Sequence, residues 1–401
     1  MRWVLICAVL LACLSPGVSA AADLPSLPEQ LRTLLSPPLA GFSGLTEDTV
    51  PTQVTIGGTP LALETFATRP DRPGRYPMAL LIHGAEPASL RQWATTLASR
   101  GWLAVVIAWP GYYTDGSTDL NTGTCDKPDA GAWLDRQSAA IEAAARALGA
   151  RADADPSRLM LFGVSEGGLI ALNTAARGAI PVSAVIVASG TLRAWNEETG
   201  PVQCAAFDEA VTARIGEMGG TVHAPALWFQ SVNDTIAPPA LADARVRAFA
   251  RAGGDVRFEM LPRLIEDGHN VFVTWQGQHQ MLPVIDEFLR DHKLPTWNNR
   301  LRRDLLARLR PAQQAMGNMY LREAMGYKAL AIGEDGTDAQ GWHTSVVSAD
   351  DAIRNALSLC EQWRKGPCHI VAVDNNIIPE KQYIGWYHVA DLPLFITVRE
   401  Q

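Results

Sequence analysis

The sequence predicts an α/β protein: a mostly parallel sheet with helices on both faces, one cap-like insertion, and a small α+β domain behind it. Three observations carry this. Short continuous apolar runs, such as residues 78–82 (MALLI) and 103–107 (LAVVI), are the mark of strands buried on both faces. Stretches with apolar residues at helical spacing alternate with those runs, as a parallel sheet with crossover helices requires. The alternation stops past Leu294, where residues 298–310 turn polar and Arg-rich before a shorter pattern resumes. The chain has 401 residues, enough for one large core and a second small one.

Taken in order, the N-terminus reads as an export signal over residues 1–22. Arg2 is a minimal positive start, residues 3–14 are apolar, Pro16 and Gly17 break the run, and Val18-Ser19-Ala20 offers the small residues a signal peptidase prefers, with cleavage after Ala20 or Ala22. The alternative is a lipoprotein signal, because Leu10-Leu11-Ala12-Cys13 resembles a lipobox and would leave the chain anchored through Cys13. Residues 23–60 are expected to be a leader, Pro-rich and irregular to about Pro51. The main domain is expected over residues 61–295. A strand at 61–68 is followed by the strand at 78–82, which ends at His83-Gly84. A helix over 90–100 stops at Gly101, the strand at 103–107 stops before Pro110-Gly111, and an Ala-rich helix at 133–148 stops at Gly149. The strand at 159–162 runs through a Gly-rich turn, 163–168, into a helix at 169–177. Strands at 184–188, 226–230 and 256–260 and a closing helix at 281–291 complete the body.

Residues 191–223 interrupt this alternation and are expected to overhang the sheet edge as a cap; the competing expectation is a plain crossover helix with a long loop. Residues 296–325 are expected to be a linker helix, and 326–401 a small α+β accessory domain with no candidate catalytic residue. No internal apolar run reaches the about 18 residues of a membrane-spanning helix. Lys and Arg number 34 against 42 Asp and Glu, a net charge of −8, which argues against nucleic acid as a partner. Four Cys lie beyond the signal, an even count that in an exported chain suggests disulfides, and spacing favours Cys125–Cys204 and Cys360–Cys368. Zinc is a poor rival, since there is no C-x-x-C pair, and no metal site is expected.

In a parallel sheet, chemistry gathers at the carboxyl ends of the strands. The sharpest motif there is Gly163-Val164-Ser165-Glu166-Gly167, between an apolar strand and a helix. A tight strand-to-helix turn exposes the Ser165 hydroxyl, requires small residues two positions either side, and aims the Glu166 N–H at a developing oxyanion from a helix N-terminus. An acid and a base should follow in chain order. Asp234, just after the strand at 226–230, is the candidate acid, with Asp267 and Glu259 as fallbacks. His269 in Gly268-His269 is the candidate base, with His279 behind it. The second oxyanion donor is expected at the Ala85 N–H, in the loop after His83-Gly84. Trp109, Tyr112 and Tyr113 are candidate pocket residues or loop packing. No cluster of Arg or Lys marks an acidic substrate.

On these motifs (His83-Gly84, Gly163 to Gly167, Asp234 and Gly268-His269), residues 61–292 resemble the α/β-hydrolase superfamily, and within it the dienelactone-hydrolase-like esterases. The resemblance implies a serine esterase that forms an acyl-enzyme and uses no cofactor, acting on a small-molecule ester. Ser165 stands where true dienelactone hydrolases carry a cysteine, which puts dienelactone itself in doubt as substrate. A serine peptidase on the same fold and a non-catalytic envelope protein are the competing readings. The C-terminal unit faintly resembles uncharacterised exported bacterial domains.

Overall fold

Apolar side chains on successive residues of a strand point to opposite faces, so a continuous apolar run needs two cores. The computed structural model supplies both. It describes residues 45–56, 59–70, 73–83, 87–108, 122–296, 299–322, 327–333, 337–345, 349–363, 367–373, 376–378, 384–389 and 392–397. The expected signal, the first part of the expected leader, Cys13, Ala85, Trp109, Tyr112 and Tyr113 lie outside the described residues. In the strand at residues 76–83, Met78, Leu80 and Ile82 enter one core while Ala79 and Leu81 enter the other.

The main domain opens with β1 (Leu45–Ile56), β2 (Thr59–Pro70) and β3 (Tyr76–His83). It continues through α1 (Arg91–Ser99), β4 (Leu103–Ala108), α2 (Ala130–Gly149), β5 (Ala154–Val164), α3 (Glu166–Arg177) and β6 (Ala184–Ala188). A short hairpin follows, β7 (Ala194–Asn196) with β8 (Gly200–Val202), then α4 (Ala205–Gly219), β9 (Ala226–Ser231), α5 (Pro239–Arg251), β10 (Val256–Leu261) and α6 (Trp275–Asp291). The eight-stranded sheet runs β1-β2-β4-β3-β5-β6-β9-β10. Its first two strands pair antiparallel and the rest are parallel. This strand order, with helices on both faces, is the α/β-hydrolase fold. One face carries α2 and α3 against Leu80, Leu161 and Trp228; the other carries α1 and α6 against Leu81, Phe162 and Phe229.

Residues 45–56, expected to fall within an irregular leader, instead form the edge strand β1, paired residue for residue with β2 from Leu45↔Pro70 to Ile56↔Thr59. Pro51 had suggested irregular chain, but a residue without an N–H is tolerated on an edge strand. The expected cap at 191–223 resolves into two parts. The β7–β8 hairpin carries Trp195 and Pro201, whereas α4 is a crossover helix packed on α5, with Phe207, Val211 and Ile215 buried and Gly219 closely approached by Phe249.

The expected linker helix is two helices, α7 (Asn299–Arg308) and α8 (Pro311–Arg322). Pro311 has no N–H to continue the first helix and suits the first turn of the second. Both pack onto the C-terminal sheet, with Leu305, Leu309, Tyr320 and Leu321 against Leu330, Val371 and Ala372. That sheet contains β11 (Tyr327–Gly333), β12 (Gln340–Ser345), β13 (Cys368–Val373), β14 (Asn376–Ile377), β15 (Ile384–Val389) and β16 (Leu392–Thr397), in the order β12-β11-β13-β15-β16 with β14 on β13. Its opposite face is covered by α9 (Ala349–Trp363), through Ile353, Leu357 and Cys360. Cys360 is bonded to Cys368, and Cys125 to Cys204. No helix among the described residues is long and apolar enough to cross a membrane.

Candidate active site

Strand register lines up the groups that matter. Ile82 pairs with Gly163, His83 with Val164, Val164 with Ala188, and Ala188 with Phe229, so β3, β5, β6 and β9 end at one level. Ser165 stands one residue past β5 at φ 59°, in the left-handed region that a side chain avoids. The surrounding packing holds it there. A Cβ on Gly163 would lie 2.0 Å from the Gly167 carbonyl oxygen, and one on Gly167 would lie 2.1 Å from that of Ile82. The two glycines therefore let the turn fold back tightly enough for the Ser165 N–H to reach the Ala188 carbonyl at 3.0 Å. Ser165 is only 7% exposed, and its hydroxyl opens into a pocket of about 240 Å³.

His269 reaches the same point from the loop after β10. Asp267 accepts from the His269 N–H at 3.0 Å and starts a 3-10 turn over Gly268–Val273. The Trp93 indole donates to the Phe272 carbonyl at 2.8 Å and anchors that turn to α1. Gly268 is required by close approach, since a Cβ there would lie 2.3 Å from Ser231 Oγ. His269 Nε2 sits 3.1 Å from Ser165 Oγ, and its Nδ1 lies 3.1 Å from each Asp234 carboxylate oxygen. An ionised carboxylate can only accept, so Nδ1 carries the proton and Nε2 is left to accept from the Ser165 hydroxyl.

Asp234 has an unusually full set of donors. Its Oδ1 accepts from the N–H groups of Ile236 and Ala237 at 2.9 and 2.7 Å, and its Oδ2 from Gln230 Nε2 at 2.8 Å and from the Ser189 hydroxyl. Burial pushes the Asp234 carboxyl up, but the hydrogen bond and charge of His269, with the Ala237 and Ser189 donors, outweigh it and leave it below the ordinary carboxylate range. The fallback acids are engaged elsewhere. Asp267 caps its own turn, and Glu259 is paired with Arg257 at 2.7 Å on β10. The side chain of His279 lies outside the described residues.

Several neighbours were not singled out from sequence. Ser189 follows β6 at φ 52°, and its Oγ also lies 2.9 Å from His269 Nδ1. Gln230, wholly buried, bridges Asp234 to the Ala237 carbonyl at 2.7 Å; a lone amide in an otherwise apolar run was its only sequence signal. Arg245, fully buried on α5, donates to the Gly190 carbonyl at 3.3 Å and pairs with Asp208 of α4 at 2.9 Å, tying the loop after β6 to two helices. Burial lowers the Arg245 guanidinium to about 10 and raises the Asp208 carboxyl, their mutual attraction opposing both shifts. His83 is pushed down to about 4, first by burial and then by the charge of His269, so it stays neutral beside the site.

Glu166 opens α3, and its carboxylate Oε2 lies 3.3 Å from Ser165 Oγ, a second acceptor competing for the hydroxyl proton. Thr122, Trp133, Leu192, Arg193, Trp195 and Pro201 form much of the pocket wall. Cys125–Cys204 joins the segment carrying Thr122 to the end of the hairpin carrying Trp195 and Pro201. No cluster of three or more His, Cys, Asp or Glu among the described residues could hold a metal ion. The arrangement can activate a hydroxyl, store its proton on an imidazole and hold that imidazole in one tautomer.

No protein family and no curated protein matches the chain by sequence. Solved structures resemble part of the chain at low identity. A candidate dienelactone hydrolase of Klebsiella pneumoniae is 17% identical, over 59% of this chain and 98% of that one, with a TM-score of 0.42. A cold-adapted esterase from an Arctic intertidal metagenomic library is 16% identical, over 64% and 96%, at 0.44. The acylaminoacyl peptidase of Pyrococcus horikoshii is 15% identical, over 63% and 43%, at 0.46.

Proposed function

With the α/β-hydrolase fold as the premise, we propose that this protein is an exported serine hydrolase cleaving carboxylic esters through Ser165, His269 and Asp234. The observation that carries the reading is the 3.1 Å approach of Ser165 Oγ to His269 Nε2, with Asp234 against the opposite ring nitrogen. Ser165 Oγ attacks the ester carbonyl carbon as its proton passes to His269, and Asp234 stabilises the imidazolium. The carbonyl oxygen becomes an oxyanion beside the Glu166 N–H, at the positive end of α3. The Ala85 N–H, outside the described residues, is the proposed second donor. His269 then protonates the leaving alkoxide, and the acyl-enzyme is hydrolysed by a water that gives its proton to the same imidazole.

His83, neutral at working pH, adds no second positive charge when His269 becomes an imidazolium. Export is supported by the N-terminal signal pattern and by two disulfides, which persist in oxidising compartments. Esters rather than peptides are the assigned class because of the sequence resemblance to esterases. The test is labelling with a fluorophosphonate followed by peptide mapping, together with turnover of a short-chain nitrophenyl ester and of a matched peptide anilide. The expected result is label on Ser165 and faster turnover of the ester. An unlabelled Ser165 overturns the mechanism, and preference for the anilide overturns the substrate class.

A further inference from the structure

We infer that the substrate of this pocket is an α-aminoacyl ester, its ammonium held by the Glu166 carboxylate beside Ser165; this rests on the serine-hydrolase reading of the same site. Glu166 is the only acid among the described residues that line the pocket, and its Oε2 lies 3.3 Å from Ser165 Oγ. It is half-buried rather than sealed, so a bound molecule reaches it. Among the described residues the Ser165 hydroxyl is its only side-chain donor, and no cation pairs with it. Other carboxylates withdrawn from solvent are neutralised within the protein: Glu142 by Arg177 and Asp286 by Arg100, both at 2.6 Å, and Asp208 by Arg245 at 2.9 Å. The basic groups around Glu166 do not take that part. His83 is neutral, pushed down to about 4, chiefly by burial. His269 becomes charged only on taking the Ser165 proton, and its Nδ1 faces Asp234. Arg193 shares the wall without pairing with Glu166.

The positive end of α3 favours an acid in its first turn, but it does not require the carboxylate to turn into the pocket onto the nucleophile. Left unpaired there, the carboxylate works against a neutral ester twice. It competes with His269 for the hydroxyl proton, and its charge repels the oxyanion that forms beside the Glu166 N–H. A substrate that brings its own cation removes both penalties. Geometry sets where that cation stands. Ser165 Oγ bonds to the carbonyl carbon, so a group meeting a carboxylate 3.3 Å from Oγ must be borne by the carbon next to the carbonyl. On the alcohol side the equivalent position is the alkoxide carbon, which carries no charge. An α-ammonium stands at the required place and supplies charged donors at about 2.7–2.9 Å. Hydrolysis then gives a free amino acid and an alcohol through the same acyl-enzyme, and the ammonium keeps its protons throughout.

The test compares alanine benzyl ester with benzyl isobutyrate, which has a methyl group in place of the ammonium, at about pH 6.5, where the amine is protonated. The full-length protein, Glu166→Gln and Glu166→Asp are assayed by release of benzyl alcohol; both variants keep the backbone N–H of Glu166. The reading is the ratio of kcat/KM for the two esters. The expected wild-type ratio favours the alanine ester by about tenfold or more, falls by about 10- to 100-fold in Glu166→Gln, and is kept in part in Glu166→Asp, as loss of a charged hydrogen bond would give. In Glu166→Gln the alanine ester should slow while the isobutyrate quickens, a divergence that a generally weakened enzyme does not produce. A wild-type ratio near one, or a ratio that Glu166→Gln leaves unmoved, overturns the inference. A second measurement stands apart from turnover: titration of alanine benzylamide into Ser165→Ala and into the same protein with Glu166→Gln. Binding lost with the Glu166 carboxylate supports the site, and equal binding or none overturns it. Fluorophosphonate labelling separates the two failures, because labelled protein without ammonium preference refutes only this substrate class, while unlabelled protein refutes the serine-hydrolase reading beneath it.

Discussion

Removing the Ser189 hydroxyl tests how the base is held without touching a reacting atom. The hydroxyl donates to Asp234 Oδ2 and lies 2.9 Å from His269 Nδ1, yet Asp234 keeps Gln230, Ile236, Ala237 and His269 as donors without it. A hydrogen bond to a charged group contributes about 1.5–3 kcal/mol, and with four donors remaining the lower end applies, so Ser189→Ala should lose about 1.5 kcal/mol. The backbone adds an independent effect. Ser189 sits at φ 52°, where a side chain costs about 1–2 kcal/mol and glycine costs little, while glycine gives back about 0.5–1 kcal/mol through the unfolded chain. Ser189→Gly should therefore be more stable than Ser189→Ala by about 0.5–1 kcal/mol, although both lack the hydroxyl. Urea denaturation measures this. Both variants should lose kcat by about tenfold to a similar extent, with KM little changed, because Asp234 and His269 are less firmly oriented. The Asp234 carboxyl is depressed, so its contribution to stability is present at neutral pH and is lost as pH falls through its folded value. With one stabilising donor removed, acid unfolding should begin at a higher pH in both variants. Ser189→Ala at least as stable as Ser189→Gly, or a large difference in kcat between them, would refute the reasoning.

Ser165→Ala should abolish turnover of a nitrophenyl ester while leaving thermal unfolding nearly unchanged; His269→Ala should cost a similar factor, and the double variant should add little because the groups act as a unit. Replacing Cys125 and Cys204 by Ser opens a crosslink spanning 79 residues and should lower stability by about 2–4 kcal/mol, with KM rising as Thr122, Trp195 and Pro201 lose their placement; unchanged KM and unfolding would contradict this role. His83 is held neutral in the fold down to about pH 4, so the unfolded chain binds its proton first. Its contribution is complete above pH 6.5 and is lost between pH 6.5 and about 4, on the order of 3 kcal/mol, and the slope of stability against pH should flatten over that window in His83→Asn.

The alternation of apolar runs with helical periods was enough to read a parallel sheet, because burial on both faces demands apolar residues at every strand position, as in residues 78–82. The turn at Gly163 to Gly167 was legible for a local reason, since crowding between Gly163 and Gly167 is a matter of a few residues of backbone. Asp234 and His269 could be nominated because they follow strand ends, and their meeting at 3.1 Å depends on the register of β9 and β10. Local pattern misread residues 45–56, where pairing with β2 decided strand over irregular chain, and residues 296–325, where a proline and a waiting apolar sheet made two packed helices. Ser189, Gln230 and Arg245 carry no motif, because what they do is satisfy or hold groups distant in the chain.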